Sequence, residues 1–96
     1  MSNKKQDYDF VNYEIELAPK AEKQFKKLAK DIQKRVSKRI DKLGKNPRPK
    51  GVTKLSGEDD IYRVREGDYR IIYAIQDHLL LVLIVKIGHR RDIYRL

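Results

Sequence analysis

Residues 62–75 read YRVREGDYRIIYAI, and the rest of the chain can be arranged around this stretch. Apolar and polar residues alternate on both sides of the pair Gly67-Asp68, which suits a two-residue β-hairpin loop with glycine in the first position. Such a loop sets the register of the two strands. The expected opposed pairs are Glu66 with Tyr69, Arg65 with Arg70, Val64 with Ile71, and Arg63 with Ile72.

The predicted hairpin puts like charges opposite each other. Because Cβ atoms alternate between the two faces of a sheet, Arg63, Arg65 and Arg70 share one face. The other face carries Tyr62, Val64, Ile71 and Tyr73. Opposed like charges destabilise a strand pair, and an anion held between Arg65 and Arg70 would offset that repulsion. The alternative is a solvated face on which each arginine is paired with a nearby Glu or Asp. A three-residue loop would move Arg70 to the other face.

The composition is that of one small, strongly basic domain. The 96 residues are 40% hydrophobic and 39% charged, and the formal net charge is +9. This charge indicates a polyanionic partner, RNA or DNA first, although many basic domains bind acidic proteins instead. The lack of cysteine and the presence of only two histidines argue against a metal site, so we expect no metal and no cofactor.

The chain is expected to begin with a flexible, polar leader over residues 1–10, followed by a single domain over residues 11–96. No apolar run is long enough for a signal peptide or a membrane span. A cytoplasmic location without a membrane partner is therefore expected. Residues 12–17 alternate, which predicts a short first strand.

A helical region follows. From Ala21 to Leu43, apolar residues recur every three or four positions. This spacing allows one long helix or two helices, and a break near residues 29–31 is favoured because a single helix would be long for so small a domain. Asp31 is a candidate N-cap for the second helix, and Gly44 and Asn46-Pro47 are expected to end the region.

The helical region also carries a stripe of lysines at helical spacing, here called the lysine stripe: Lys20, Lys23, Lys27, Lys30, Lys34 and Lys38. Such a stripe is either an ordinary solvated helix face or a surface that contacts a large RNA, such as ribosomal RNA, through its phosphates.

Residues 48–57 are rich in Pro, Gly and Lys and predict a loop. Residues 79–86 predict a third strand that is central and covered on both faces, and the chain is expected to leave the sheet at Gly88. The predicted fold class is α+β, with an N-terminal strand, a helical hairpin and then a mostly antiparallel sheet. The helices should cover one sheet face and leave the arginines on the other.

Four motifs in order resemble the RelE/ParE superfamily of toxins from toxin–antitoxin modules: KLSG at 54–57, YRVR at 62–65, GDYRIIY at 67–73 and GHRRDIY at 88–94. The helical region, with APKA at 18–21 and FKKL at 25–28, resembles the helical hairpin of the family. The resemblance extends from about residue 13 to residue 94. It implies the RelE-like fold, which is consistent with the α+β class expected from the pattern of elements.

The resemblance implies one of two activities. RelE-type members are ribosome-dependent endoribonucleases that cut messenger RNA in the A site, and ParE-type members poison DNA gyrase. The basic residues and the tyrosine of a RelE-type active face match Arg63, Arg65, Arg70, Arg90 and Tyr94. Two departures are visible: the second strand carries arginines where the family often has lysines, and the segment from Arg90 to Tyr94 is shorter than in some members. A non-catalytic basic module that binds RNA or an acidic protein is the remaining alternative.

Metal-independent RNA cleavage needs orientation, stabilised charge on the phosphoryl oxygens and proton transfer. The arginines can grip a phosphate, and Arg65, Arg70 and Arg90 are the expected catalytic cations. Arginine is a poor base, so Tyr94 is the first candidate base; otherwise it is an aromatic residue packed on the sheet.

Arg63, Lys54 and His89 are expected to contact RNA phosphates, and for His89 the favoured alternative is an ordinary surface histidine beside a glycine. The expected partners are the ribosome and its message, and an acidic RelB-like antitoxin that masks the basic surface. The net charge of +9 and the open arginine face motivate the antitoxin.

Overall fold

The computed structural model of the chain describes residues 12–55 and 60–93; the expected leader and Tyr94 lie outside the described residues. The elements are β1 (Glu14–Leu17), α1 (Pro19–Lys26), α2 (Lys30–Lys45), β2 (Thr53–Lys54), β3 (Ile61–Glu66), β4 (Tyr69–Gln76) and β5 (Leu81–His89). The strand order is β1-β5-β4-β3-β2, and β1 is parallel to β5 whereas the other neighbours are antiparallel. This arrangement confirms the predicted α+β class. Within the described ranges, no helix is long and apolar enough to cross a bilayer.

The predicted hairpin is confirmed in every pair. Arg65 lies opposite Arg70, and the three other expected pairs flank it as predicted. Gly67 has a φ of +60°, a left-handed conformation that glycine adopts without a Cβ clash. The local sequence was sufficient because turn chemistry sets the register of a two-residue hairpin.

The helical region is divided in two, as the sequence favoured. The N-cap of α2 is Ala29, with extended φ and ψ of −60° and 152°, so the prediction of Asp31 as the cap was wrong. Asp31 instead lies in the first turn of α2, where its charge suits the helix dipole. Gln33 Nε2 donates to the carbonyl oxygens of Phe25 and Lys26 at 3.0 and 3.3 Å, which ties the end of α1 to α2.

Both helices pack on one face of the sheet and build the core there. From the helices, Ala21, Val36, Ile40 and Leu43 are buried. From the sheet, the buried residues are Tyr62, Val64, Ile71, Tyr73, Ile75, Val82, Ile84 and Ile87. Ile72 is 7% exposed and does not belong to this core cluster, because alternation places it on the opposite face with the arginines.

The third predicted strand is displaced relative to the prediction. Strand β5 begins only at Leu81, because a 3₁₀ turn over Asp77–Leu79 precedes it. Leu80, between the turn and the strand, has a φ of +51°. The strand then continues through Gly88, which pairs with Arg70, and ends at His89, so the expected exit at Gly88 was wrong. The strand is central, as predicted, but Leu81 and Leu83 are only half-buried, because the helices cover one face.

A β-bulge interrupts β5 near its middle. Ile72 pairs with Lys86 but Tyr73 pairs with Ile84, so one residue of β5 is extra at this point. The extra residue reverses the alternation: Val82 and Ile84 face the core before the bulge, and Ile87 faces it afterwards. Strand β1 ends opposite Ile84, and beyond that end the side chain of Gln24 accepts a 2.8 Å hydrogen bond from the Ile87 N–H.

The predicted loop over residues 48–57 contains the short edge strand β2, which the sequence did not reveal. The loop also supplies Arg48 to a polar network at the end of the hairpin far from Gly67. Two nitrogens of its guanidinium donate to the two oxygens of Asp77 at 3.2 and 2.9 Å. Its Nε donates to the Tyr62 hydroxyl at 3.1 Å, and Tyr13 donates to Asp77 at 2.6 Å. The network joins the residue before β1, the loop after α2, strand β3 and the turn after β4.

The network predicts a specific pH dependence of stability. Hydrogen bonds from Arg48 and then from Tyr13 lower the pKa of Asp77 from 3.8 to about 2. A carboxyl group with a depressed folded-state pKa stabilises the fold above its unfolded pKa, and this contribution is lost as the pH falls from about 4 to about 2. Both side chains are partly exposed, at 40% for Arg48 and 49% for Asp77, so we expect about 1 kcal/mol or less.

The measurement compares urea unfolding of the wild type and Arg48→Met between pH 6 and pH 2. In the wild type, the guanidinium carbon of Arg48 lies over the Tyr62 ring, 5.3 Å from its centroid. Methionine keeps an apolar side chain against this ring but removes the charge. The difference in unfolding free energy between the two proteins is expected to be largest at pH 6 and to shrink towards pH 2. A difference that stays constant with pH would show that the Asp77 pair is not its source.

Candidate functional site

The sheet face opposite the helices carries a grid of cations. Along one row across the strands lie Arg65, Arg70 and Gly88, and along the next lie Arg63, Ile72 and Lys86. Arg90 follows the end of β5 at the same edge. We call this surface the basic face and define it by Arg63, Arg65, Arg70, Lys86 and Arg90. Gly88 contributes no side chain to this grid, and both Gly88 and Ile72 are buried.

Arg65 and Arg70 lie at the centre of this face. They are opposite each other in the antiparallel pair, where Cβ atoms are about 4.5–5.5 Å apart. In the part of the chain that the structure describes, neither guanidinium forms an ion pair. Arg70 Nη1 donates to the carbonyl oxygens of Gly67 and Tyr69 at 3.1 and 3.2 Å, which orients its side chain along the hairpin turn. The alternative, a solvated face on which each arginine is paired with a carboxylate, therefore does not describe Arg65 and Arg70.

Arg90 is held at the same turn by its backbone. Its N–H donates to the carbonyl oxygen of Asp68 at 2.7 Å, and its Nε lies 3.7 Å from the Asp68 carboxylate. The two side chains are 57% and 64% exposed, so this ion pair is weak and an incoming phosphate can compete for the guanidinium.

Lys86 is a cation of the basic face that sequence reasoning missed. In a strand that alternated without interruption, Lys86 would share the core side with Val82 and Ile84. The bulge moves it to the open side, opposite Ile72. Ile84 and Ile87 cannot both face the core in a regular strand, but only the structure shows that both are buried, so the sequence alone offers no signal for Lys86.

Two predicted contact residues do not lie with the arginines. Lys54 pairs with Tyr62 in β2, which puts its Cβ on the side of the sheet that the helices cover. His89 belongs to the strand and pairs with Tyr69, so alternation also directs it away from the basic face. Its ring packs edge-on to Tyr69 at 5.4 Å, and its Nδ1 accepts a hydrogen bond from the Arg91 N–H at 3.2 Å.

Two of the described tyrosines, Tyr13 and Tyr73, are poor candidates for a base because their pKa values are raised. Burial raises the pKa of Tyr73 above its ordinary value, and its hydroxyl donates to the Pro47 carbonyl oxygen at 2.7 Å. The hydrogen bond to Asp77 likewise raises the pKa of Tyr13. Tyr94, the predicted base, lies outside the described residues. Across residues 12–55 and 60–93, no group of three or more His, Cys, Asp or Glu side chains could hold a metal ion.

Every residue of the lysine stripe is exposed. The stripe lies on α1 and α2, which pack on the sheet face opposite the basic face. The molecule therefore presents cations on two opposite sides, so one extended polyanion on the basic face would leave the lysine stripe free for a second contact.

The basic face can hold an anion with several oxygen atoms. Guanidinium groups bind phosphate through parallel hydrogen bonds, and an anion between Arg65 and Arg70 relieves the repulsion that their pairing creates. Surrounding charge from Lys86 and Arg90 adds to the attraction. The same groups would stabilise negative charge that develops on a phosphoryl group during its transfer.

Comparison with known proteins identifies the family. Residues 15–94 match the model of the ParE toxin of type II toxin–antitoxin system, parDE. A RelE-like toxin protein of Escherichia coli is 31% identical over 90 residues, which cover 90% of this chain and 94% of that protein. The toxin RelE1 of Methanocaldococcus jannaschii is 30% identical over 88 residues, which cover 88% of this chain and 98% of that protein.

A solved structure supports the same assignment. The archaeal RelE–RelB complex from Pyrococcus horikoshii contains a chain that matches with a TM-score of 0.74 at 31% identity, over 82% of this chain and 96% of that one. Fold, family model and relatives agree, and the chain belongs to the RelE/ParE superfamily of toxins from toxin–antitoxin modules.

Proposed function

We propose that the chain is a ribosome-dependent endoribonuclease, an mRNA interferase that cuts messenger RNA in the A site and so inhibits translation. The observation that carries this proposal is the opposed pair Arg65 and Arg70, which forms no ion pair among the described residues and lies on the sheet face opposite the helices. A sheet under selection for stability alone would rarely keep this pair. A phosphodiester bound between the two guanidinium groups would offset their repulsion and so explain why the pair is present.

The reaction that fits is an internal displacement in the RNA. The 2′-oxygen loses its proton and attacks the adjacent phosphorus, the bond from phosphorus to the 5′-oxygen breaks, and the 5′-oxygen takes up a proton. The products are a 2′,3′-cyclic phosphate and a 5′-hydroxyl. Arg65, Arg70 and Arg90 are assigned to stabilise the phosphoryl oxygens, and Arg63 to hold a flanking phosphate. Tyr94 is assigned to proton transfer.

The described residues around the basic face include no evident base, and this supports the proposed dependence on the ribosome. Arginine keeps its proton, and Tyr13 and Tyr73 have raised pKa values, so these groups are poor bases. The protein alone should therefore cut slowly, and a ribosome that holds the message in an in-line geometry would supply the missing orientation. The lysine stripe is assigned to ribosomal RNA, since phosphate contacts need no sequence recognition.

An acidic antitoxin of the RelB type is the proposed inhibitor. The Pyrococcus horikoshii relative was solved as a RelE–RelB complex. In the present chain, the net charge of +9 and the open basic face favour a partner rich in Asp and Glu. Such a partner would neutralise the arginines and exclude RNA from them.

The experiment adds the purified protein to a translating extract and, separately, to the same message without ribosomes. Cuts are expected inside the translated region of the first sample only, and the new ends are expected to be 2′,3′-cyclic phosphates. An intact message at a protein concentration that stops translation would contradict the proposal.

A second candidate function is poisoning of DNA gyrase, and the observation in its favour is that the matching family model is that of the ParE toxin. A gyrase poison would block supercoiling by purified gyrase and leave messages intact in the translating extract. The two activities can be separated by running both assays on one protein preparation.

A further inference from the structure

We propose that Arg35, on α2, is a further phosphate-binding residue, and that RNA bound to the basic face continues over the hairpin turn at Gly67 to reach it. This inference rests on the proposed function, because it takes single-stranded RNA as the polyanion. It adds a contact on the helix side of the sheet that neither the motifs nor the lysine stripe include.

The geometry at Gly67 brings the two sides of the molecule together. Arg35 Nη2 lies 3.8 Å from the position that a Cβ atom on Gly67 would occupy. Arg70 Nη1, which belongs to the basic face, donates to the Gly67 carbonyl oxygen at 3.1 Å. Since one glycine residue separates these two contacts, the guanidinium nitrogens are no more than about 11 Å apart.

The side chain of Arg35 has no structural task that would explain its position. It is exposed, and within residues 12–55 and 60–93 it forms no hydrogen bond or ion pair. A long cation that stays near the turn without a protein partner is available to a ligand. Gly67 has no side chain, so no side-chain atoms at the turn stand between the two guanidinium groups and a ligand that binds both.

Single-stranded RNA suits this path better than an acidic peptide. Every nucleotide carries a phosphate, so a strand that leaves Arg70 presents another anion a short distance further on. Its flexible backbone can bend over an edge, whereas a strand or helix of an acidic partner would have to place a carboxylate at this one point. Arginine also matches phosphate geometry with two parallel hydrogen bonds.

The test measures binding of a short 2′-O-methyl oligoribonucleotide, which cannot supply the attacking hydroxyl, by fluorescence anisotropy over a range of salt concentrations. The variant is Arg35→Gln, and the matched control is Lys42→Gln. Lys42 is exposed, carries the same charge and lies two helical turns from Arg35 on the same side of α2, about 10 Å from it along the axis.

Arg35→Gln is expected to weaken binding about fivefold at about 0.1 M salt and to reduce the salt slope by about 0.7, the effect of one lost phosphate contact on a single strand. Lys42→Gln should change the affinity less than about twofold and leave the slope unchanged, since a remote charge acts only through screened attraction. Arg35→Lys should restore most of the affinity. Thermal unfolding should be the same for all variants.

Equal effects of Arg35→Gln and Lys42→Gln would overturn the inference, because only total charge would then matter. An Arg35→Gln variant that binds the oligonucleotide normally but loses affinity for an acidic antitoxin would overturn it in favour of a protein contact. Either result leaves message cleavage by the wild type untouched. Failure of the wild type to cut message would instead remove the proposed function.

Discussion

Arg65→Gln is expected to reduce message cleavage on translating ribosomes by about 100- to 1000-fold, the usual cost of losing one preorganised donor to a transition-state oxyanion. The same change should leave the free energy of unfolding unchanged or raise it by about 0.2–1 kcal/mol, because it removes one member of an opposed like-charge pair. Glutamine keeps most of the aliphatic stem of Arg65, so packing along β3 is preserved. Loss of activity together with retained stability is the signature of a site that was selected for a ligand.

Two further variants separate charge from geometry in that experiment. Arg65→Lys keeps a positive charge but offers a compact ammonium group in place of the planar fork, so cleavage should fall between that of the wild type and that of Arg65→Gln. Lys45→Gln, an exposed change at the end of α2, controls for the lower net charge and should cut normally. If Arg65→Gln cuts as fast as Lys45→Gln, the opposed pair is not part of the reaction and the central argument for RNA cleavage is lost.

The hairpin and its arginine face could be predicted because their causes are local. Gly67-Asp68 specifies the turn, the turn specifies the register, and the register places Arg65 opposite Arg70. The helical region was equally accessible, since its apolar spacing needs no tertiary information. The N-cap was predicted wrongly: Asp31 has the preferred side chain, but the helix begins after Ala29, and Gln33 donates to the end of α1.

The bulge in β5 could not be predicted in the same way, because its cause is tertiary. It lets Ile87 enter the core and places Lys86 on the basic face, and the Ile87 N–H donates to Gln24 from a helix far away in the sequence. The sheet face on which Lys54 or His89 lies likewise depends on which residues pair across the sheet, and only the assembled sheet defines those pairs. Arg35 is the extreme case, since nothing in the order of residues indicates that it reaches Gly67.

Tyr73→Ala is expected to destabilise the domain by about 3–5 kcal/mol, the usual cost of truncating a buried aromatic residue. Tyr73 is fully buried, stacks on Tyr62 at 5.9 Å and donates to Pro47. A loss of this size is a large part of the roughly 5–15 kcal/mol typical of a small domain. The variant should therefore begin to unfold at a low urea concentration at neutral pH. Because the unfolded chain has no basic face, activity should decline in step with the folded fraction.

Tyr73→Phe separates this structural role from chemistry. It keeps the ring stacked on Tyr62 and removes only the hydroxyl, which leaves the carbonyl of the buried Pro47 without its donor and should cost about 1–3 kcal/mol. Below its unfolding transition, Tyr73→Phe should cut message at the wild-type rate, because burial keeps this hydroxyl protonated and turned towards Pro47, away from the basic face. A stable Tyr73→Phe protein that no longer cuts would mean that the proton needed for cleavage moves through the core side of the sheet, and the assignment of the reaction to the open face would then have to be abandoned.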